Sequence, residues 1–145
     1  MLFRSVSQSR YEEVDIRNFV QTDRPIVQLF NDVNNRIRIE GFFFSPSFGL
    51  KATVTVLGSN VANITLTITN TGIYKLAFAY KQDDFALYIN GVQVGFDISG
   101  SLPSNLSTIH LGHNNGSAQF NDRIRAAALY PNRLSNAQLA ALTTP

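Results

Sequence analysis

The chain has no cysteine, no tryptophan and a single methionine, and only 15% of its 145 residues are charged. Without cysteine there is neither a disulfide framework nor a thiolate metal site, so the fold must stand on packing. Without tryptophan, a ring that stacks on a sugar has to be Tyr or Phe. No apolar run approaches the ~20 residues of a membrane-spanning helix. The opening Met1-Leu2-Phe3-Arg4-Ser5 lacks the apolar stretch of a secretion signal, so export by that route is not expected. Glutamate is confined to Glu12, Glu13 and Glu40, which leaves few pairs for carboxylate catalysis. The net charge is +2, and the basic residues are scattered rather than gathered into the stripe of a nucleic-acid binder. Neither nucleic acid nor membrane is expected as a partner.

What is present favours strands. The chain carries 11 Phe and many Thr, Val and Ile, residues that suit a pleated, half-buried surface. Its length allows one domain with a real core. The strongest local signal is Asn90-Gly91 between two alternating apolar runs, which predicts a two-residue type I′ hairpin over 85–96. In that register Ile89 faces Val92, Leu87 faces Val94 and Phe85 faces Phe96, all on one face. The other face carries Tyr88 with Gln93 and Ala86 with Gly95.

Further runs alternate at short spacing. Val14 and Ile16 alternate within 11–19, before Asp23-Arg24-Pro25 breaks the pattern; residues 1–25 read as an N-terminal arm or edge strand. Strands are predicted over 26–30, 36–44, 50–57, 62–69, 73–80, 108–112 and 122–130, separated by Gly, Pro, Asn and Asp clusters. Arg36, Arg38 and Glu40 alternate with Ile37, Ile39 and Gly41, and Arg123 alternates with Arg125. Such rows read as solvated or interface faces, the normal exposed side of a sheet. Phe42-Phe43-Phe44 forces one ring off the core face, and an exposed Phe there would suit a protein–protein contact. The chain closes on Ser135-Asn136-Ala137-Gln138, a capping box, with Leu134 and Leu139 as a hydrophobic staple. These elements predict an all-β jelly-roll β-sandwich of about ten antiparallel strands with one short C-terminal helix.

The ordered series Tyr74 to Tyr80, Asp84 to Gly91, Ile109 to Gly112 and Ile124 to Leu142 resembles the laminin-G-like branch of the concanavalin A-like lectin/glucanase superfamily. The stretch Tyr130-Pro131-Asn132-Arg133-Leu134-Ser135, leading into the helix, is similar to the ending of such domains in tailed-bacteriophage virion proteins. The resemblance covers 26–145, most closely 73–142. It implies a non-enzymatic virion structural protein, a capsid-decorating protein or a tail or fibre component, located in the virion. Other virion proteins and further copies of itself would be its partners. The alternative it implies is a lectin-like module that recognises host surface glycans.

Glucanases of this superfamily carry Glu-x-Asp-x-x-Glu on one strand. Glu13-Val14-Asp15-Ile16-Arg17-Asn18 comes near it, but Asn18 cannot donate a proton to a leaving group, and no catalytic residue is assigned. His110 and His113, three apart, fall on opposite faces of a continuing strand and fit hydrogen-bonded loop histidines better than a zinc pair. Many relatives hold calcium at one rim. Asp83, Asp84 and Asp97 are the weak candidates here, although turn chemistry accounts for Asp and Asn in loops equally well. No cofactor is expected otherwise. For a glycan or partner contact the candidates are Tyr88, Gln93, Asn114, Asn115 and Phe120, with Tyr80 and Tyr130 as further rings.

Overall fold

Where the sequence alternates, the chain is extended. The computed structural model describes residues 7–18, 23–44 and 46–145, with the side chain of Phe44 outside the described part. Most of the N-terminal arm's first residues and the segment 19–22 therefore lie outside the described residues. The elements are β1 (Gln8–Ile16), β2 (Arg24–Asp32), β3 (Asn35–Phe44), β4 (Ser47–Val56), β5 (Ser59–Ile68), β6 (Gly72–Lys81), β7 (Asp84–Ile89), β8 (Val92–Asp97), β9 (Thr108–Leu111), β10 (Arg123–Tyr130) and α1 (Asn136–Thr143). Two five-stranded antiparallel sheets result: sheet A in the order β10-β1-β6-β7-β8, and sheet B in the order β5-β4-β3-β2-β9. The all-β sandwich with one short C-terminal helix is therefore the fold.

The core lies between the sheets. Val14, Leu76, Phe78, Phe85 and Leu87 from sheet A meet Leu29, Ile37, Ile39, Leu50 and Val54 from sheet B, all essentially without solvent exposure. Burying each such side chain contributes roughly 1.5–3 kcal/mol. A second, smaller cluster sits on the outer face of sheet A. There Ala77, Ala79, Ala86 and Tyr88 receive Leu139 of α1. Three alanines in that row let the helix come close to the sheet. Ser135 caps the helix: its hydroxyl accepts from the Gln138 amide, and the Gln138 side chain accepts from the Ser135 amide. The arginine of the closing segment ties it down, with Arg133 Nη2 donating to Asp84 Oδ1 at 2.8 Å.

The hairpin at Asn90-Gly91 forms with φ of 50° and 83°, as a type I′ turn requires. Its register departs from the expected one beyond the first pairs. Ile89 faces Val92 and Tyr88 faces Gln93, but a bulge then sets Leu87 opposite Gly95 and Ala86 opposite Phe96. Phe96 is consequently 66% exposed instead of joining the core. The cause lies across the sandwich. Gly95 packs on Ile64 of β5, where an added Cβ would stand 2.5 Å from Ile64 Cγ2. Only a glycine in that slot lets β8 approach β5, and the bulge brings it there.

The segment expected as an arm or edge strand contains β1, which is neither. It pairs with β6 on one side and β10 on the other. Its inward-facing residues begin polar and end apolar: Gln8, Arg10 and Glu12 precede Val14 and Ile16, all buried. Gln8 Oε1 accepts from the Tyr80 hydroxyl at 2.7 Å, and Arg10 Nη1 donates across the sandwich to the Ile37 carbonyl at 3.3 Å. Arg10 Nη2 lies 3.3 Å from Glu12 Oε1. Burial pushes the Glu12 carboxyl up to about 7, against the opposing pull of Arg10.

Candidate functional site

The two sheets differ in what covers their outer faces. Sheet A carries α1 over β6 and β7. Sheet B has no helix against it among the described residues, and its outer side chains form polar rows that run across the strands. Register places His110, Gln28, Arg38, Thr53 and Asn63 in one row, and Thr108, Phe30, Arg36, Thr55 and Asn60 in the next. Glu40, Lys51 and Thr65 form a third.

Of the expected solvated or interface faces, the row carrying Arg38 and Glu40 is not solvated. Arg38 and Glu40 are only 8% and 3% exposed. Long side chains in adjacent rows cover one another and close into a network. Arg38 donates through Nε and Nη2 to Gln28 Oε1, through Nη1 to Glu40 Oε2, and through Nη2 to Asn114 Oδ1. Lys51 completes the Glu40 carboxylate at 3.3 Å and reaches Asp23 at 2.8 Å. Every nitrogen of the Arg38 guanidinium has a protein acceptor, which makes this layer rigid rather than adaptive.

Arg36 is the exception. Among the described residues it makes no side-chain hydrogen bond or ion pair. It is half-buried between Phe30 and Thr55, and burial together with neighbouring Arg38 lowers its affinity for its proton, with Glu40 acting in the opposite sense. Near it, the Phe30 ring lies 5.0 Å from His110, and His110 stacks on His113 at 4.8 Å. The two histidines are thus brought together and not set on opposite faces, because the strand ends at Leu111 and the chain turns. Around this cluster Asn60, Asn63, Thr65 and Thr108 are exposed. The face therefore offers a guanidinium unpaired among the described residues, an aromatic ring and hydroxyl and amide groups on a fixed base.

The residues singled out from sequence are divided by the fold. Tyr88 is 6% exposed beneath α1, and Phe120 is 8% exposed with its ring packed into the core. Tyr80 is fully buried. None of these three can offer a ring face to a sugar. Gln93 is exposed, but on sheet A. Asn114 does border sheet B through Arg38, and Asn115 is exposed in the adjoining turn at φ 47°. Asp83, Asp84 and Asp97 are each engaged: Asp83 accepts from the Gly100 amide, Asp84 from Arg133, and Asp97 from the Ser99 amide. Among the described residues no three His, Asp or Glu side chains come together to hold a metal ion. Glu13 pairs with Arg125 and Asp15 with Arg17 on the outer side of β1. Phe43 packs on the core, while Phe42 lies over Gly49 with Lys51 5.1 Å from its ring centre. Sequence reasoning missed Gln28, Phe30 and Arg36 as site residues. The Arg36-Arg38-Glu40 alternation opposite a threonine-rich strand was the available signal.

No protein-family model matches the chain, and no curated protein is similar to it in sequence. Solved structures are similar in fold. The CBM40 domain of the Ruminococcus gnavus IT-sialidase, bound to α2,3-sialyllactose, aligns with a TM-score of 0.74 at 10% identity, covering 99% of this chain and 85% of that one. Domain 4 of AbnA, a GH43 extracellular arabinanase from Geobacillus stearothermophilus, in complex with arabinotriose, gives 0.69 at 16% identity over 96% of this chain and 68% of that one. The native heptameric SAP-like pentraxin from Limulus polyphemus gives 0.70 at 13% identity over 95% and 70%. At these identities the likeness is one of fold, a two-sheet jelly-roll β-sandwich.

Proposed function

We propose that the protein is a non-enzymatic glycan-binding module that takes an acidic sugar on the outer face of sheet B. The observation that carries this reading is Arg36. A cation with no partner among the described residues, set beside a fully paired Arg38–Glu40–Gln28 layer, is ready for a carboxylate. Arg matches that group with two parallel N–H donors. Phe30 and Thr108 flank it on one side, and Asn60, held by the buried Thr55 hydroxyl, on the other, which suits the apolar and hydroxyl faces of a sugar ring. Similar folds solved with sialyllactose and arabinotriose support a glycan as the ligand class. The carboxylates of Glu13 and Asp15 are held in surface ion pairs, in keeping with binding rather than turnover.

Calorimetric titration with sialyllactose and with lactose tests it. Sialyllactose is expected to bind and lactose to bind at least tenfold more weakly. Arg36→Ala removes the difference, and Arg36→Lys restores part of it. Equal binding of both sugars, or an undiminished preference in Arg36→Ala, removes Arg36 from the site.

The virion setting is a second element of the proposal, supported by the closing segment 129–139. In that setting the glycan would belong to the host surface, and virion proteins and further copies of this chain would be neighbours. Finding the protein in stoichiometric amount on purified particles is the expected result. Its absence from them would remove the setting and leave the glycan site untouched.

A further inference from the structure

The sandwich is open along the side where its two edge strands β9 and β10 run. Between them lies a cleft of about 150 Å³, walled by Val27, Leu29, Ile109, Leu111, Ala127 and Leu129. It is on the opposite side of sheet B from the polar rows. Its lip is apolar and exposed, with Ile109 at 39% and Leu111 at 53%. Alanine at position 127 of β10 leaves room that a larger inward side chain would fill.

The floor is charged. Arg10 and Glu12 both line the cleft, and each is 1% exposed. Arg10 Nη2 and Glu12 Oε2 have no hydrogen-bond partner. Buried polar atoms are nearly always satisfied, so each unpaired one calls for an explanation. Here one is a donor and the other, with the Glu12 carboxyl ionised above about pH 7, an acceptor. They belong to groups already joined at 3.3 Å through the other carboxylate oxygen and both are closed to solvent, so a single small head meets them once the two side chains turn toward the cleft. A cationic head would meet Arg10, and an anionic head would meet Glu12. A hydroxyl has its donor and acceptor on one atom. A primary carboxamide presents them on two atoms, matching the two empty positions.

We propose that this cleft binds a small amphipathic molecule with a short aliphatic body and a primary carboxamide head. The carbonyl accepts from Arg10 Nη2 and the amide nitrogen donates to Glu12 Oε2. The body lies against Val27, Leu29, Ile109 and Leu111. An apolar-walled space of this size holds a molecule of about the bulk of benzene, which a four-carbon chain ending in an amide approaches.

The test is a titration of the full chain with pentanamide, followed by methyl spectra of Ile109, Leu111 and Leu129. Benzene and pentylammonium are the comparison ligands. Pentanamide is expected to shift those methyls saturably and to bind at least tenfold more tightly than either comparison. Ala127→Phe, which fills the cleft from an exposed strand position, is expected to abolish the shifts. The pair Arg10→Met with Glu12→Leu is expected to erase the preference over benzene. If that pair does not fold, Ala127→Phe still decides. Absence of a saturable shift, unchanged binding in Ala127→Phe, or equal binding of benzene would overturn the proposal. So would a crystal grown with pentanamide that shows only water on Glu12 Oε2.

Discussion

Gln28 and His110 face one another across the β2–β9 ladder, with the amide nitrogen of Gln28 3.1 Å from His110 Nδ1. The Gln28 amide oxygen already accepts twice from Arg38, at 2.9 and 2.7 Å. Its nitrogen can therefore only donate, and Nδ1 must accept. That assigns the neutral imidazole with its proton on Nε2. Burial, reinforced by adjacent His113, holds His110 below the usual histidine range. The folded state thus binds this proton less well than the unfolded chain. The associated stability is complete above about pH 6.5 and is lost as pH falls through the lowered value. Nitrogen-15 spectra at pH 7.5 are expected to show a protonated Nε2 and a bare Nδ1. Gln28→Leu removes the acceptor for two Arg38 bonds, and unfolding titrations are expected to show a loss of about 2–4 kcal/mol.

Glu12 works in the opposite direction. Its carboxyl is raised from 4.5 to about 7 by burial, with Arg10 opposing. Here the folded state holds the proton more tightly than the unfolded one. The contribution is present in full below about pH 4.5 and is lost as pH rises through about 7. Over this window stability should decline by an amount on the order of 3 kcal/mol. Glu12→Gln is expected to flatten the decline, as measured by denaturant midpoints from pH 4.5 to 8. An unchanged slope in that variant would assign the pH dependence to other groups.

The bulge in β8 exists to place Gly95. Gly95→Ala would set a Cβ against Ile64 Cγ2, and overpacking of this kind typically costs about 1–3 kcal/mol. Ile64→Leu, which carries no methyl on Cβ, frees that space beside Gly95→Ala and should recover part of the loss. A double-mutant cycle on thermal midpoints measures the coupling, and additive losses would show that the two residues do not press on each other.

The helix is held at its start and along one face. Ser135→Ala removes the cap and should cost about 1 kcal/mol. Leu139→Ala empties the centre of the outer cluster and should cost about 2–5 kcal/mol. Both would leave Tyr88 more open to solvent, so tyrosine accessibility to a neutral quencher should rise with them. Ser135→Thr keeps the cap and should behave nearly as wild type.

Local chemistry carried much of the architecture in a readable form. The Asn90-Gly91 turn, the Ile64-Leu66-Ile68 alternation and the Ser135 capping box each depend on residues within a few positions of one another, and each forms as expected. What escaped depends on distant partners. The bulge beside Leu87 answers to Ile64 on another sheet. Arg10 and Glu12 look like surface residues in a short charged run, yet β6 and β10 close over β1 from both sides. Arg38 and Glu40 have the spacing of a solvated row, but cross-strand neighbours bury them. The candidate site followed the same rule: Asn114 was found because it stands in a turn, and Arg36 was missed because its isolation is visible only once Arg38 is seen to be fully paired.

The pairing of β1 with β10 sets an order for folding. Sheet B grows through consecutive hairpins, β2 to β5, each closing a short loop. Sheet A cannot be completed until Ser9 meets Tyr130, and loops of that length close late and slowly. Pulse-labelled hydrogen exchange should show amides of β3 and β4 protected first and those of β10 last. During that interval the apolar edge at Ile109 and Leu111 stands beside an unfinished neighbour, and it is there that a refolding chain is expected to meet other chains.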